Sequence, residues 1–282
     1  MSGVALARAR SLEEALELLA ADPEARPLAG GASLVAMMNA RLVAPTTLVS
    51  LRDVEALRGI RPREDGTVRI GAMTRHCESA AAAELSGTLA TLRAAARRIA
   101  NPVVRNMGTI GGSIALSDPG ADYPPALVAL DAEIEIASLT GARRVPARAF
   151  FVDWYATALE PGELVTAIHL PAPRPGIGIY RKLARVAGDF ATVSVALSAG
   201  EDGRVSVAIG GSGPAPVVSD EANELLSEAL DDPRAVARAG ESLAARSDPV
   251  DDVRASAAYR RRVIPRLLAE VARAARLQGA AA

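Results

Sequence analysis

The stretch that most constrains this chain is Arg105-Asn106-Met107-Gly108-Thr109-Ile110-Gly111-Gly112-Ser113, with three glycines in five positions. Glycine reaches left-handed backbone conformations at little steric cost, so successive N–H groups can turn toward one point. Such a point attracts an anion, phosphate above all. The apolar sequence on both sides argues against a disordered linker. A second stretch, Ala29-Gly30-Gly31-Ala32-Ser33, follows Pro27-Leu28 and precedes Leu34, Met37, Met38 and Leu42 at helical spacing. Ser33 is the expected N-cap of that helix. A glycine pair there adds free N–H groups to the positive end of a helix dipole. Two anion cradles in one chain suit a diphosphate held from both sides. Read singly, either pair is as consistent with a tight turn as with phosphate. Gly-x-Gly-x-x-Gly is absent from both, and no Gly-Lys-Ser/Thr follows, which disfavours a Rossmann site and a P-loop.

The 282 residues suffice for two or three small domains or one large one. Half are hydrophobic but only 3% aromatic, so the core is built from Ala, Val and Leu. Basic and acidic residues nearly cancel, 32 against 33, which gives no electrostatic case for nucleic acid or an anionic membrane. Cys77 is the only cysteine, so neither an internal disulfide nor an iron–sulfur cluster finds its thiols here. His76 and His169 are the only histidines, too few for a multi-histidine metal site. No apolar run reaches membrane-spanning length, and Met1 to Arg10 lacks a hydrophobic signal core. The expected location is the cytoplasm.

Ser11-Leu12-Glu13-Glu14 is a capping box, and Leu12, Leu16 and Leu19 mark the face of a helix stopped by Asp22-Pro23. With a strand at Leu48 to Leu51, residues 1–56 read as a small βα unit. Val68 to Gly71 alternates as a strand, and Thr74 is the expected cap of a helix through His76-Cys77. That pair shares no helical face and has no third ligand nearby, so a metal or nucleophile role is disfavoured. Leu89, Leu92, Ala96 and Ile99 stripe the next helix, which Asn101-Pro102 ends before the central glycine stretch. Asp122, two residues before Pro124-Pro125, stands where a helix cap would, close to that stretch. Strands follow at Glu133 to Ile136, Arg143 to Val145 across a turn at Gly141, and Leu164 to Ile168. Pro171 to Gly178 is the best boundary. Beyond it, Tyr180 to Leu183, Ala191 to Ser198 and Val205 to Ile209 read as an antiparallel sheet, with a hairpin at Glu201-Asp202-Gly203. The third glycine cluster, Gly210 to Pro214, faces no helix start and reads as a turn. Helices are expected from Ser219 to Leu230, from Pro233 to Ala245, and through Val263, Leu267, Val271 and Ala275.

Together these stretches resemble the FAD-binding medium subunit of the molybdenum hydroxylases, the family of carbon monoxide dehydrogenase and xanthine dehydrogenase. The resemblance rests on Ala29 to Ser33, Ile70-Gly71-Ala72-Met73-Thr74, Arg105-Asn106 with Gly108 to Gly112, Asp118-Pro119, Asp122, Leu127 to Asp131, Tyr180 to Leu183, and Ser256-Ala257 with Tyr259-Arg260-Arg261. It implies an α+β chain with a two-part FAD-binding domain of the vanillyl-alcohol-oxidase-like type, 1–56 and 57–172. A smaller α/β C-terminal domain with an antiparallel sheet and helices would span 177–282. It further implies FAD contacts at Pro27, Leu28, Ala29, Gly30, Gly31, Ala32, Ser33 and Leu34, and at Thr109, Ile110, Gly111, Gly112 and Ser113. Ile99, Asp122, Leu164, Lys182 and Phe190 complete the set. Asp122 would accept hydrogen bonds from flavin or ribityl donors, Lys182 would place positive charge near the ring, and Leu164 would be an apolar wall. Two departures stand out: Ala32 where the family often has a polar residue, and Phe190 where some relatives place Tyr. The implied partners are a large subunit with molybdopterin and a small one with two [2Fe–2S] clusters, in a dimer of heterotrimers. The chain would pass electrons from the clusters to an external acceptor. Two alternatives stay open: a free-standing FAD oxidoreductase using His169 and Tyr155, or a flavin-free binding or scaffold protein.

Overall fold

A computed structural model describes residues 3–279. Its N-terminal part is a parallel sheet. Strand β1 (Ala5–Arg8) leads into helix α1 (Leu12–Ala21), and β2 (Arg26–Leu28) into α2 (Leu34–Asn39). Strand β3 (Thr47–Ser50) lies between the other two, in the order β1-β3-β2. The Glu14 N–H donates to the Ser11 hydroxyl at 3.1 Å, and the Glu14 carboxylate reaches past the cap to the Arg10 N–H at 2.7 Å. Leu16 and Leu19 are thereby buried against Val49, Leu51 and Val54. Ser33 departs from expectation. It stands at the N-cap position with helical backbone, φ −94° and ψ −48°, and its side chain bonds no amide. An N-cap hydroxyl reaches the first-turn amides from extended backbone, so here it caps none of them, and the Val35 N–H donates instead to the Gly31 carbonyl at 3.1 Å.

The middle part carries a five-stranded antiparallel sheet in the order β4-β5-β10-β6-β7. Strands β4 (Ile60–Pro62) and β5 (Val68–Gly71) precede five helices: α3 (His76–Ala81), α4 (Ala90–Arg98), α5 (Pro102–Met107), α6 (Ile110–Leu116) and α7 (Tyr123–Ala129). Strands β6 (Glu133–Ser138) and β7 (Gly141–Pro146) pair across the expected turn at Gly141. Helix α8 (Ala147–Phe150) leads to a small hairpin of β8 (Phe151–Asp153) and β9 (Ala156–Thr157), and β10 (Leu164–Leu170) completes the sheet. Ile70, Ile134, Ile136 and Ile168 pack beneath Leu92, Ile110, Ile114 and Leu127.

Two expectations fail here. Arg75, not Thr74, precedes α3, and Glu78 binds back to the Arg75 N–H at 2.6 Å. The central glycine stretch is not an open loop. Pro102 to Met107 is a helix, capped by the Asn101 side chain on the Val104 N–H. Gly111 and Gly112 lie in the first turn of α6, which Thr109 caps. The Asn-x-x and Thr-x-x cap geometries outweigh the low helix propensity of the glycines.

Strands β11 (Gly176–Leu183), β12 (Val193–Gly200) and β13 (Val205–Gly210) form the antiparallel C-terminal sheet. Helices α9 (Asp220–Ala229), α10 (Pro233–Arg246) and α11 (Ala257–Gly279) cover one face through Val195, Leu197, Val207, Leu243, Ile264 and Leu268. The other face, with Tyr180, Ala196 and Ala208, packs on α4 and α7. Covered on both sides, β12 is buried along nearly its whole length. The Thr91 hydroxyl of α4 donates to the Leu197 carbonyl at 2.8 Å across that join. In the third glycine cluster, Gly211 turns at φ +73°. Its carbonyl and that of Thr192 each accept from Arg260 Nη1 at 2.7 Å, so this turn is a structural one.

Candidate functional site

The two glycine stretches meet. A Cβ on Gly30 would overlap the carbonyl oxygen of Met107, so only glycine lets the first stretch lie on the end of α5. Gly112 in turn leaves its bare Cα facing Ala29: a Cβ there would sit 3.7 Å from the Ala29 Cβ. Of the glycines in both stretches, only Gly31 is left-handed, at φ +74°. The others serve close approach rather than a turn.

The N–H groups of Gly30, Gly31, Ala32 and Ser33 have no hydrogen-bond partner among the described residues. Gly30, Gly31 and Ala32 are half-buried and Ser33 is exposed. Partly buried amides left without a partner are costly unless something external accepts from them. Helix α2 has only six residues, so any attraction for an anion comes from these amides more than from a dipole.

The second stretch does not mirror the first, which corrects the expectation of two amide cradles. Ile110 N–H donates to Thr74 O and Gly111 N–H to Ala72 O, each at 2.9 Å. Gly112 N–H donates to the Thr109 hydroxyl at 3.1 Å, and Ser113 N–H to Thr109 O at 3.0 Å. These amides are spent on α6 and on fixing it to the segment after β5. The Thr109 and Ile110 side chains are buried. What this stretch offers is a bare glycine surface and the half-buried Ser113, whose hydroxyl has no partner among the described residues. Free amides are therefore found on the first stretch and not on the second, among the described residues.

Behind the junction, His76 supports Gly108. A Cβ on Gly108 would stand 2.5 Å from His76 Nε2, while His76 Nδ1 lies 3.1 Å from the Tyr123 hydroxyl. Burial, and then the nearby Arg105, push the His76 pKa down from 6.5 to about 4. The unfolded chain therefore binds a proton that the folded chain refuses between those values. Stability is lost as pH falls through this window, at up to about 1.4 kcal/mol per unit. A His76→Gln chain is expected to lose less melting temperature than wild type between pH 7 and about 4.5. Equal losses in a thermal scan would dismiss the effect.

The other expected positions gather where the C-terminal sheet meets the middle part. Asp122, 5% exposed, precedes α7. Its side chain caps nothing. Instead Tyr180 donates to Oδ1 at 2.7 Å, and Lys182 Nζ lies 2.9 Å from Oδ1 and 3.0 Å from Oδ2. Lys182 is itself buried. The positive charge expected of Lys182 is thus paired within the chain with the Asp122 carboxylate. Burial pushes Asp122 above its ordinary value, against the pull of Lys182 and Tyr180. Burial and the adjacent carboxylate push the Tyr180 phenol well up, so it remains a donor. Tyr180, expected only as part of a strand and of the resemblance, was not among the expected site residues, yet it stands two residues from Lys182 on β11 and so shares its face.

Ile99, half-buried, ends α4. The loop after β11 crosses beside it, where Gly188 leaves room for the Ala100 carbonyl, a Cβ at 188 lying 2.5 Å from that oxygen. The same loop carries Phe190 onto Gly120, two residues before Asp122. Phe190 is 40% exposed, with the Arg254 guanidinium 5.5 Å from its ring centroid. Leu164 stands apart, 6% exposed in the core with Val49, Leu57 and Ala137. His169 and Tyr155 belong to separate clusters. His169 Nε2 lies 2.8 Å from Glu135 Oε2, and the Tyr155 hydroxyl donates to Asp118 at 3.3 Å. Among the described residues no three His, Cys, Asp or Glu side chains converge as metal ligands, and no helix is long and apolar enough to cross a membrane.

The unpartnered amides of Gly30 to Ser33, and a buried ion pair that joins two parts of the chain, fit the class of dinucleotide-binding proteins. Residues 2–173 match the family model described as the FAD binding domain in molybdopterin dehydrogenase, and 178–275 that of the CO dehydrogenase flavoprotein C-terminal domain. The carbon monoxide dehydrogenase medium chain of Afipia carboxidovorans is 42% identical over 264 residues, 90% of each chain. The xanthine dehydrogenase FAD-binding subunit of Escherichia coli O157:H7 is 30% identical, covering 94% of this chain and 93% of its own. Among solved structures, quinoline 2-oxidoreductase from Pseudomonas putida 86 superposes with a TM-score of 0.91 at 32% identity, over 99% of this chain and 98% of that one. Reconstituted CO dehydrogenase from Oligotropha carboxidovorans does so at 0.90 and 38%, over 95% and 96%. The chain belongs to the family of FAD-binding flavoprotein subunits of molybdopterin dehydrogenases. It is an FAD-binding oxidoreductase subunit.

Proposed function

We propose that this chain holds FAD by its diphosphate on the free amides of Gly30 to Ser33. Pro27 to Leu34 and Thr109 to Ser113 line the cleft, Ile99, Asp122, Lys182 and Phe190 complete the site, and Leu164 backs it as an apolar wall from the core against which Ala29 packs. The four unpartnered amides carry this reading. Gly112 and Ser113 close the other side without amide bonds of their own to give. Asp122, fixed by Tyr180 and Lys182, keeps lone pairs for a cofactor hydroxyl or ring N–H. Bound FAD supplies the redox chemistry, taking up electrons and releasing them to an acceptor. The protein's share is to grip, orient and shield it.

The same relatives support a place in a larger assembly. We propose that an iron–sulfur subunit delivers the electrons, that a molybdenum subunit oxidises the substrate, and that the complex is a cytoplasmic dimer of heterotrimers. A lone cysteine leaves this chain dependent on such a donor. The domain limits 1–56, 57–172 and 177–282 fit this arrangement.

Reconstitution of the purified chain tests the cofactor reading. FAD is expected to bind with one-to-one stoichiometry and a flavin spectrum. FMN, which lacks the diphosphate, is expected to bind at least about 100-fold more weakly. Equal affinity for the two, or no flavin bound at all, would remove it.

A further inference from the structure

Lys182 is paired with Asp122, but a second cation stands level with it. Helix α4 and strand β11 run side by side in the same direction. Near their starts a Cβ on Gly178 would overlap the Thr91 backbone, and past their ends one on Gly188 would meet the Ala100 carbonyl. Gly178, Tyr180 and Lys182 share one face of β11, and Thr91, Ala95 and Arg98 recur at helical spacing on one face of α4. Thr91 and Ala95 are fully buried, and Thr91 bonds the C-terminal sheet. Seven residues of helix advance about 10 Å and four of strand about 13 Å, so Arg98 comes level with Tyr180 and Lys182.

Arg98 is exposed, and among the described residues no hydrogen bond or ion pair ends on its side chain. Its neighbours differ. Arg93 and Arg97 lie on the opposite face of α4 and donate to the Ala82 and Ala80 carbonyls, toward α3 and its Glu78. Arg105 donates to the Ile99 and Ala100 carbonyls at 2.7 and 3.0 Å. The loop after β11 adds one charge of each sign, Arg185 and Asp189, and the Asp189 carboxylate accepts from the Phe190 N–H at 2.8 Å. Beyond Phe190, Asp118 and Asp252 balance Arg254 and Arg260. With Asp122 and Lys182 paired, the balance around Ile99 is positive, and Arg98 is its exposed, unbonded part. Burial pushes Asp122 and Tyr180 up, and Arg98 is among the charges that pull both back down, so its field reaches this cluster.

Two-electron reduction of a flavin takes up two electrons and one proton near neutral pH and leaves the ring with one negative charge. A fixed cation beside the ring favours that form. We propose that the Arg98 guanidinium stabilises the reduced, anionic ring of bound FAD and so raises its potential. This rests on the FAD reading above. Wild-type, Arg98→Gln, Arg98→Lys and Arg97→Gln chains, each loaded with FAD, are reduced stepwise with dithionite against a reference dye. At a fixed potential, Arg98→Gln is expected to hold about fivefold less reduced FAD relative to oxidised, a fall of about 20 mV for a two-electron couple. Arg98→Lys keeps the charge and is expected to stay within about twofold of wild type. Arg97→Gln removes the same net charge from the far face of α4 and is expected to do likewise. An Arg98→Gln chain with the wild-type potential would overturn the proposal. So would an equal fall in Arg98→Lys, or in Arg97→Gln. A wild-type chain that takes up no FAD would instead remove the cofactor reading, and this proposal with it.

Discussion

A Gly30→Ala chain is expected to lose FAD while remaining folded. The new Cβ would overlap the Met107 carbonyl, which belongs to the backbone end of α5 and cannot swing aside as a side-chain tip would. Such overpacking costs about 1–3 kcal/mol, and the cheapest relief is to lift the Ala29–Ser33 loop off α5. Lifting it misaims the four amides. Losing two charge-assisted bonds at about 1.5–3 kcal/mol each weakens FAD by more than about 100-fold. Gly31→Ala is the control. It meets nothing closer than 3.4 Å but must hold φ +74°, so it carries only about 1–2 kcal/mol of strain. Flavin fluorescence titrations of the two variants rank them. A Gly30→Ala chain that binds FAD as well as Gly31→Ala would show that close approach is not what that glycine provides.

The second large effect is expected from Lys182→Met. It leaves the buried Asp122 carboxylate with Tyr180 as its only strong donor. Breaking a buried pair in this way costs about 3–5 kcal/mol, mostly as the penalty of an uncompensated charge. The deficit is expected to shrink in acid, where Asp122 takes up a proton. An Asp122→Asn/Lys182→Met double variant, with no buried charge left, is expected to regain most of the stability but not the FAD affinity. Denaturant titrations at pH 7 and pH 5 measure this. A single variant no less stable than the double would mean that the pair is not a stabilising junction between the C-terminal sheet and the middle part.

Local signals were enough for much of the fold. The Ser11 cap, the alternation at Val68 to Gly71, the turn at Gly141, the hairpin at Glu201 to Gly203 and the spacing of α9 to α11 each depend on residues a few positions apart. Both glycine stretches were visible for the same reason, as was the family to which they belong. Their mechanics were not. Whether glycine serves a turn or a close approach depends on what lies opposite, and Met107 lies far from Gly30 along the chain.

Local sequence was thus enough for most strands and for the capped helices, for the stretches that lack side chains, and for a cysteine count too low for an iron–sulfur cluster on this chain; it missed the start of α3 and the two helices of the central glycine stretch. The tertiary structure alone decided which amides remain free, because an N–H is free only when no carbonyl from any other segment reaches it. It likewise decided that Lys182 pairs with Asp122 and that Tyr180 donates to the same carboxylate, since the burial and pairing of charges follow from how the C-terminal sheet seats on α4 and α7. Local periodicity is encoded within a few residues, whereas desolvation and donor–acceptor pairing are set by distances across the whole molecule.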